Sequence, residues 1–237
     1  MANYGWRMYD PVAHNRGLRG DPMQRALTLH QTTIGKKVIM AVSGVILVGF
    51  TFGHFLGNLN LYRGPEALNG YAETLRSVPA LLWTARLILL VAVGVHIASA
   101  YALWSRNRKA RGSHYKRRKD LATDYAARTM YWSGPILLLY IIYHLLHLTI
   151  LPAHPGDVYR NVVEGFQNPL IAGVYIVGNL ALGFHLFHGV YSMFQTLGIN
   201  HPRFNAYRRD FAIAICALIT IGNLSFPISV LAGLVTL

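Results

Sequence analysis

The stretch KKVIMAVSGVILVGFTFGHFLGN at residues 36–58 decides what kind of protein this is. Two lysines precede a run of apolar and small residues that reaches about 20, the length a helix needs to cross the hydrocarbon core of a bilayer. His54 stands inside that run, near its far end. An ionisable side chain at membrane depth is costly, and it therefore marks a candidate functional site. The stretch predicts a membrane-spanning helix that carries a functional group.

Four more apolar stretches of similar length follow, so the sequence predicts an all-α integral membrane protein with five transmembrane helices. Hydrophobic residues make up 53% of the 237 residues and charged residues only 13%, which exceeds the apolar content of an ordinary soluble domain. The predicted spans I to V are approximately residues 37–58, 81–104, 130–151, 169–195 and 211–234.

The first 35 residues are mixed polar and basic and contain no apolar core, so they do not have the pattern of a cleavable signal peptide. We interpret residues 1–35 as a cytoplasmic N-terminal segment. The remainder, residues 36–237, forms the predicted membrane domain.

The distribution of basic residues predicts the orientation of the spans. Lys and Arg outnumber Asp and Glu by 22 to 9, and most of them lie in the N-terminal segment and in the 105–120 and 198–210 connections. The 59–80 and 152–168 connections, which we interpret as loops, hold few basic residues. The positive-inside rule therefore places the N-terminus inside and the C-terminus outside. Between two spans, the basic block at 105–118 indicates a topogenic loop or a docking surface, and no nucleic-acid partner is expected.

Six histidines lie within the spans, and their depths sort four of them into two pairs. His54 and His144 lie in the later parts of spans I and III, which run outward. His96 and His185 lie in the later parts of spans II and IV, which run inward, and His96 is about 22 Å from the start of its span. The remaining two are His147 and His188.

An outer and an inner histidine pair, each from two parallel helices, are what two bis-histidine haems stacked across a membrane require. Two imidazoles saturate the iron, which favours electron transfer over oxygen chemistry. Any haem would be of type b, because the only cysteine is Cys216 and no C-x-x-C-H motif exists.

Histidines within membrane spans can also serve roles that involve no haem. A neutral histidine can simply bond a carbonyl across helices. Zinc is a competing ligand for the two H-x-x-H pairs, but no carboxylate or cysteine lies near them within the spans. The glycines of spans I and IV either allow close helix approach or leave room for a flat macrocycle; they are Gly44, Gly49, Gly53, Gly57, Gly178, Gly183 and Gly189.

Most of the chain resembles one family, the cytochrome b (membrane anchor) subunit of succinate:quinone oxidoreductases and fumarate reductases of the five-helix, two-haem type. The resemblance runs from Lys36 to about His201. The stretches that carry it are KKVIMAVSGVILVGFTFGHFLGNLNLYRGPEALNGYAETLRS (36–77), LLWTARLILLVAVGVHIASA (81–100), RTMYWSGPILLLYIIYHLLHLT (128–149) and HLFHGVYSMFQTLG (185–198).

The resemblance implies the ligands of each haem iron. His54 and His144 would bind the outer haem b, and His96 and His185 the inner haem b. The family spacing of ten residues after Gly134 selects His144, and the pattern H-x-x-x-G selects His185. His147 and His188 are the substitutes if either choice is wrong.

The resemblance also implies the surroundings of the chain. A flavoprotein subunit and an iron–sulfur subunit of succinate dehydrogenase, an enzyme of the tricarboxylic acid cycle, would dock on the cytoplasmic face of a bacterial plasma membrane. The chain would pass electrons through two haems to a quinone, commonly menaquinone. Succinate chemistry would belong to the partner subunits, and no catalytic residue is assigned in this chain.

Arg86 is a further candidate site residue, and three alternative functions remain. Arg86, in the outer part of span II, is a candidate partner for a haem propionate, although it could equally extend to the membrane interface. The family pattern leaves open a fumarate reductase that runs in reverse. A haem-free membrane anchor is the second alternative, and the cytochrome b subunit of a hydrogenase or formate dehydrogenase is the third.

Overall fold

The structure is a computed structural model that describes residues 32–109, 125–199, 201, 203 and 205–237. Most of the predicted N-terminal segment, with His14 and His30, and most of the basic block at 105–118 lie outside these described residues.

The described chain is 88% helical and contains no strand, which confirms the predicted all-α fold class. Five helices are long and apolar enough to cross a membrane, and they correspond to spans I to V. These five are α1, α3, α4, α6 and α7, while α2 and α5 are short connecting helices. The helices are α1 (Thr33–Asn58, continued by a 3-10 turn at Leu59–Arg63), α2 (Pro65–Arg76), α3 (Pro79–Lys109), α4 (Tyr125–Leu145, continued by a π-helical turn at Leu146–Ile150), α5 (Val158–Gln167), α6 (Pro169–Thr196) and α7 (Asn205–Leu231).

The membrane helices extend beyond most of the predicted spans, because apolar patterning marks only the part of a helix that lies in hydrocarbon. Helix α3 ends at Lys109, five residues past the predicted span, and its last turn is basic. Helix α7 begins six residues before the predicted span and ends at Leu231. Long charged side chains at such ends can extend their head groups to the interface.

The connection at residues 59–80, interpreted as a loop between two spans, contains the short helix α2. Gly64 has φ of 94°, a conformation that glycine adopts without strain, and Pro65 then opens the helix at its first position. Glu66 in the first turn and Arg76 in the last turn complement the helix dipole.

The 152–168 connection also contains a helix that the sequence interpretation missed. Asp157 caps α5 by accepting a hydrogen bond from the backbone nitrogen of Arg160 at 3.0 Å. Tyr159, Val163 and Phe166 on one face of α5 are buried in the largest apolar cluster of the protein. The helix was missed because it is amphipathic rather than apolar.

Helices α2 and α5 pack against each other at one end of the bundle, which we name the capped end. The opposite end, where α1 begins and α3 ends, is named the basic end; it carries Lys36, Lys37, Arg106, Arg108 and Lys109. In the predicted orientation the capped end faces outward and the basic end faces the cytoplasm.

The most extensive helix contacts join α1 to α3, α4 to α6, and α6 to α7. The pairs α1 with α4 and α3 with α6 are not among the extensive helix contacts of the described residues. The extensive contacts therefore join the membrane helices as α1 with α3 and as α4 with α6, and α7 packs on α6.

Glycines make the closest approaches between membrane helices. A Cβ at Gly183 of α6 would lie 2.7 Å from Oγ1 of Thr220 in α7. A Cβ at Gly178 of α6 would overlap the ring of Tyr140 in α4, and one at Gly222 of α7 would overlap Phe55 in α1. The small residues at these positions make room for side chains of the neighbouring helix, and small residues are usual where membrane helices pack.

We predict that Gly178→Ala destabilises the bundle by about 1–3 kcal/mol, the usual cost of overpacking a filled interior. The Tyr140 ring cannot easily move away, because it packs edge-on against Tyr175 and its hydroxyl accepts a hydrogen bond from Asn179. The measurement is the thermal unfolding midpoint in detergent. Gly173→Ala in the same helix is the control, since a Cβ there meets no atom within 4 Å. Equal midpoints for the two variants would contradict the packing argument.

Candidate functional site

Two histidines face each other near the capped end across the gap between α1 and α4. The ring centroids of His54 and His144 are 5.9 Å apart, with an angle of 84° between the ring planes. His54 is exposed and stacks on Phe50, one turn earlier in α1. This ring contact joins α1 to α4.

The His144 ring lies in an aromatic environment and has an unsatisfied nitrogen. Its ring centroid is 6.0 Å from that of Tyr140 and 5.8 Å from that of Tyr175. Its Nδ1 is buried and has no hydrogen-bond partner among the described residues. A buried polar atom without a partner is costly in a folded protein.

A second histidine pair lies toward the basic end, between α3 and α6. The ring centroids of His96 and His185 are 6.1 Å apart, with an interplanar angle of 58°. Nδ1 of His96 lies 3.1 Å from the carbonyl oxygen of Met40 and 3.2 Å from Oγ of Ser43, both in α1. Nδ1 of His185 lies 3.4 Å from Oγ of Ser133 in α4.

These two spacings suit a metal ion between opposed imidazoles. Two coordinate bonds of about 2 Å, the length imidazole nitrogen makes to a transition metal, and the half-width of each ring give about 6 Å between centroids. Each pair supplies only two protein ligands. Within the described residues, no group of three or more histidine, cysteine, aspartate or glutamate side chains could hold a metal ion. The zinc alternative, which needs three or four protein ligands, has no support there.

The comparisons with known proteins point to one family. The family model for the succinate dehydrogenase/fumarate reductase transmembrane subunit matches residues 105–224, just over half of the 237 residues. The chain belongs to this family. No curated protein and no solved structure matches the chain.

The family match covers only one histidine of each pair. Residues 105–224 include His144 and His185 but exclude His54 and His96. The partners of the two matched histidines are therefore supplied by the part of the fold outside the matched range. As members of this family, such chains are the membrane subunits of complexes that also contain catalytic subunits.

His147 of this transmembrane subunit has contacts that differ from those of His144. Its Nδ1 lies 2.9 Å from the hydroxyl of Tyr175, and its ring stacks on Tyr143. A Cβ at Gly165 of α5 would lie 2.7 Å from Cε1 of His147. His147 thus packs between α5 and α6, whereas the ring of His144 meets His54. His188, one turn beyond His185, is half-buried.

Arg86 lies on the exposed surface of α3, with its guanidinium 4.9 Å from the centroid of the Trp83 ring. This cation–π contact is consistent with the interface alternative, since arginine and tryptophan both favour the head-group region. The role of Arg86 as a propionate partner stays a prediction.

Sequence reasoning missed the polar residues around the histidine pairs. Ser43, Ser133 and Asn179 are all buried within membrane helices. Polar residues within apolar spans could have indicated these positions, as the histidines did. They were missed because hydroxyl side chains are common in membrane helices. Tyr175, which contacts both His144 and His147, carried no comparable signal, because tyrosines occur throughout the chain.

A polar network at the capped end connects α5 to α2. Asn69 of α2 donates to the carboxylate of Asp157 at 2.9 Å and accepts from the backbone nitrogen of Tyr159 at 3.0 Å. The hydrogen bond from the Arg160 backbone, followed by that from Asn69, lowers the pKa of Asp157 below its usual range. The network thus joins α2 to the start of α5.

A second carboxylate in this network lies one turn further along α5. Glu164 accepts from Arg160 at 2.7 Å and contacts Nε2 of His154 at 2.6 Å. These two hydrogen bonds, that from Arg160 first, lower the pKa of Glu164. Both carboxylates therefore support the folded capped end in their charged form.

We predict that Asp157→Ala lowers the thermal midpoint, because losing a helix N-cap typically costs about 1 kcal/mol. Since the folded-state pKa is depressed, the contribution of the carboxylate is present above its ordinary pKa and is lost as pH falls through the lowered value. The measurement is the midpoint of wild type and of Asp157→Asn between neutral pH and pH about 3. The two midpoints should converge on acidification. A constant difference over that range would contradict the role of the charge.

Proposed function

We propose that this transmembrane subunit holds two haems b, one in each histidine pair, and passes electrons between an iron–sulfur partner subunit and a membrane quinone. The enzyme is proposed to be a succinate dehydrogenase of a bacterial plasma membrane, with menaquinone as the quinone. A fumarate reductase would use the same chain in the opposite direction. The observation that carries the proposal is the pair of histidine ring spacings, 5.9 Å between α1 and α4 and 6.1 Å between α3 and α6.

The residues around both pairs fit a flat macrocycle. Two imidazoles are too few to complete the coordination of a metal ion, and a porphyrin would supply the remaining four nitrogens. Glycines beside or near the pairs leave open space, since a Cβ built on them meets no atom within 4 Å; they are Gly49, Gly53, Gly134 and Gly189. Gly178 and Gly183 are packed against side chains of neighbouring helices instead. The glycines of the spans thus fall into two groups, one that allows helix packing and one that borders open space.

A haem b in each pair would supply reversible one-electron transfer. His54 and His144 would hold the haem at the capped end, and His96 and His185 would hold the haem at the basic end. Holding each haem with two protein nitrogens leaves no open site for oxygen, so these residues favour electron transfer over oxygen activation. The two pairs lie toward opposite ends of the bundle, which suits electron passage across the membrane.

The remaining residues of the subunit would position the ligands and keep the sites dry. Helix α5 buries Tyr159, Val163 and Phe166 over the capped-end pair and would limit access of water from that side. At the basic end, the positive charges of α1 and α3 suit docking of partner subunits. The flavoprotein and iron–sulfur subunits are the proposed partners there.

Family membership favours this proposal over one alternative, and the histidine pairs favour it over another. A cytochrome b of a hydrogenase or formate dehydrogenase would belong to another family than the one that matches residues 105–224. A haem-free anchor would leave two pairs of histidine rings at membrane depth without a function.

The proposal predicts that His54→Ala and His144→Ala each remove one and the same haem, while His96→Ala and His185→Ala each remove the second haem. Losing one of two axial ligands leaves the iron held from one side only, so occupancy of that site should fall. The measurement is the reduced-minus-oxidised absorption spectrum of the purified complex at low temperature, where the two α-bands are best separated.

His147→Ala and His188→Ala are the matched controls, because each lies one turn from a proposed ligand. Both variants should retain two haems. Removal of a haem by His147→Ala but not by His144→Ala would reassign the ligand. A single haem lost through one histidine from each pair would overturn the pairing.

A further inference from the structure

Two buried serines lie within hydrogen-bond distance of Nδ1 of the basic-end histidines. Ser43 of α1 is 5% exposed, and its Oγ lies 3.2 Å from Nδ1 of His96. Ser133 of α4 is fully buried, and its Oγ lies 3.4 Å from Nδ1 of His185. Because α1 and α4 also carry the two histidines of the capped-end pair, each of these helices contributes to both sites.

The hydrogen bonds of Ser43 determine which nitrogen of His96 carries the proton. The Ser43 hydroxyl donates to the carbonyl oxygens of Ile39 and Met40, at 2.9 and 3.0 Å, and so uses its only proton. Its oxygen can then only accept from His96. The Met40 carbonyl, 3.1 Å from the same Nδ1, also accepts only. Both neighbours of Nδ1 are acceptors, so Nδ1 bears the hydrogen and Nε2 keeps its lone pair.

The backbone of α1 lies close to this ring. A Cβ at Gly44 would lie 3.5 Å from Cε1 of His96, in ordinary van der Waals contact. Met40, Ser43 and Gly44 thus form one helical turn that contacts the Nδ1 edge of the imidazole. The opposite edge, with Nε2, is left for a ligand.

The same spacing between serine and histidine occurs in α1 and in α4. Ser43 precedes His54 by 11 residues in α1, and Ser133 precedes His144 by 11 residues in α4. Eleven residues are close to three helical turns, so each serine lies on the same helix face as its histidine, about 16 Å away along the axis. In both helices one face therefore presents a histidine to the capped-end pair and a serine to the basic-end pair.

We propose that Ser43 and Ser133 are positioning residues that orient His96 and His185 and direct Nε2 of each ring toward the haem between them. The inference rests on the proposed two-haem function. A hydrogen bond accepted from Nδ1–H makes an imidazole a stronger electron donor to its metal. The two serines would therefore stabilise the oxidised form of the basic-end haem and lower its midpoint potential.

The test is a redox titration of the purified complex carrying Ser43→Ala or Ser133→Ala, with haem content measured on the same samples. Each variant should retain two haems. The haem that is lost in His96→Ala should shift to a higher midpoint potential, so that its reduced-to-oxidised ratio at a fixed applied potential rises several-fold. The capped-end haem should be unchanged. The electron paramagnetic resonance signal of the shifted haem should also move, because its axial-ligand orientation is altered.

Two further variants separate positioning from packing. Ser43→Thr keeps the hydroxyl and should restore the wild-type potential. Ser229→Ala in α7 is the matched control, since Ser229 is buried, its hydroxyl donates to the Phe226 carbonyl of its own helix, and α7 carries neither histidine pair. It should leave both potentials unchanged.

The outcomes distinguish this inference from the function on which it rests. Unchanged potentials of both haems in both alanine variants would overturn the role of the serines and leave the two-haem function standing. Loss of the haem in Ser43→Ala with retention in Ser43→Thr would support positioning, whereas loss in both would reduce Ser43 to packing. A wild-type complex without haem would overturn the proposed function itself.

Discussion

An imidazole at membrane depth has no water to bond, so its nitrogens have to find partners within the protein or in a bound group. His96 and His185 meet this demand at Nδ1 through Ser43 and Ser133, and His147 meets it through Tyr175. His54 and His144 face each other across a gap, and Nδ1 of His144 has no partner among the described residues. The demand for partners at these few nitrogens explains why polar residues occur where they do in otherwise apolar helices.

The helix packing allows two such sites in one small bundle. Helix α1 packs on α3 and α4 packs on α6, while α1 with α4 and α3 with α6 are not among the extensive helix contacts of the described residues. Gly178 and Gly183 of α6 make room for side chains of α4 and α7. A Cβ at Gly53 or Gly189 would instead meet no atom within 4 Å. Some glycines of the spans are therefore packed against a neighbouring side chain, and others border open space.

Much of this arrangement could be predicted from the sequence, because hydropathy reports the membrane directly. The five spans and the all-α fold class follow from apolar runs, and the depth of each histidine follows from helix rise. Two features could not be read in this way. Helices α2 and α5 are amphipathic and are stabilised by tertiary contacts such as Asn69 with Asp157. The serines act through neighbours 52 or 53 residues away, a relation that helical periodicity does not contain.

The most direct test of the account is a pyridine haemochrome assay on the purified complex, normalised to the amount of this transmembrane subunit. The account predicts two haems b per chain, one for each histidine pair. One haem per chain would mean that one facing pair is not a ligand pair. A complex with intact catalytic subunits and no haem would contradict the account, and the subunit would then be a membrane anchor.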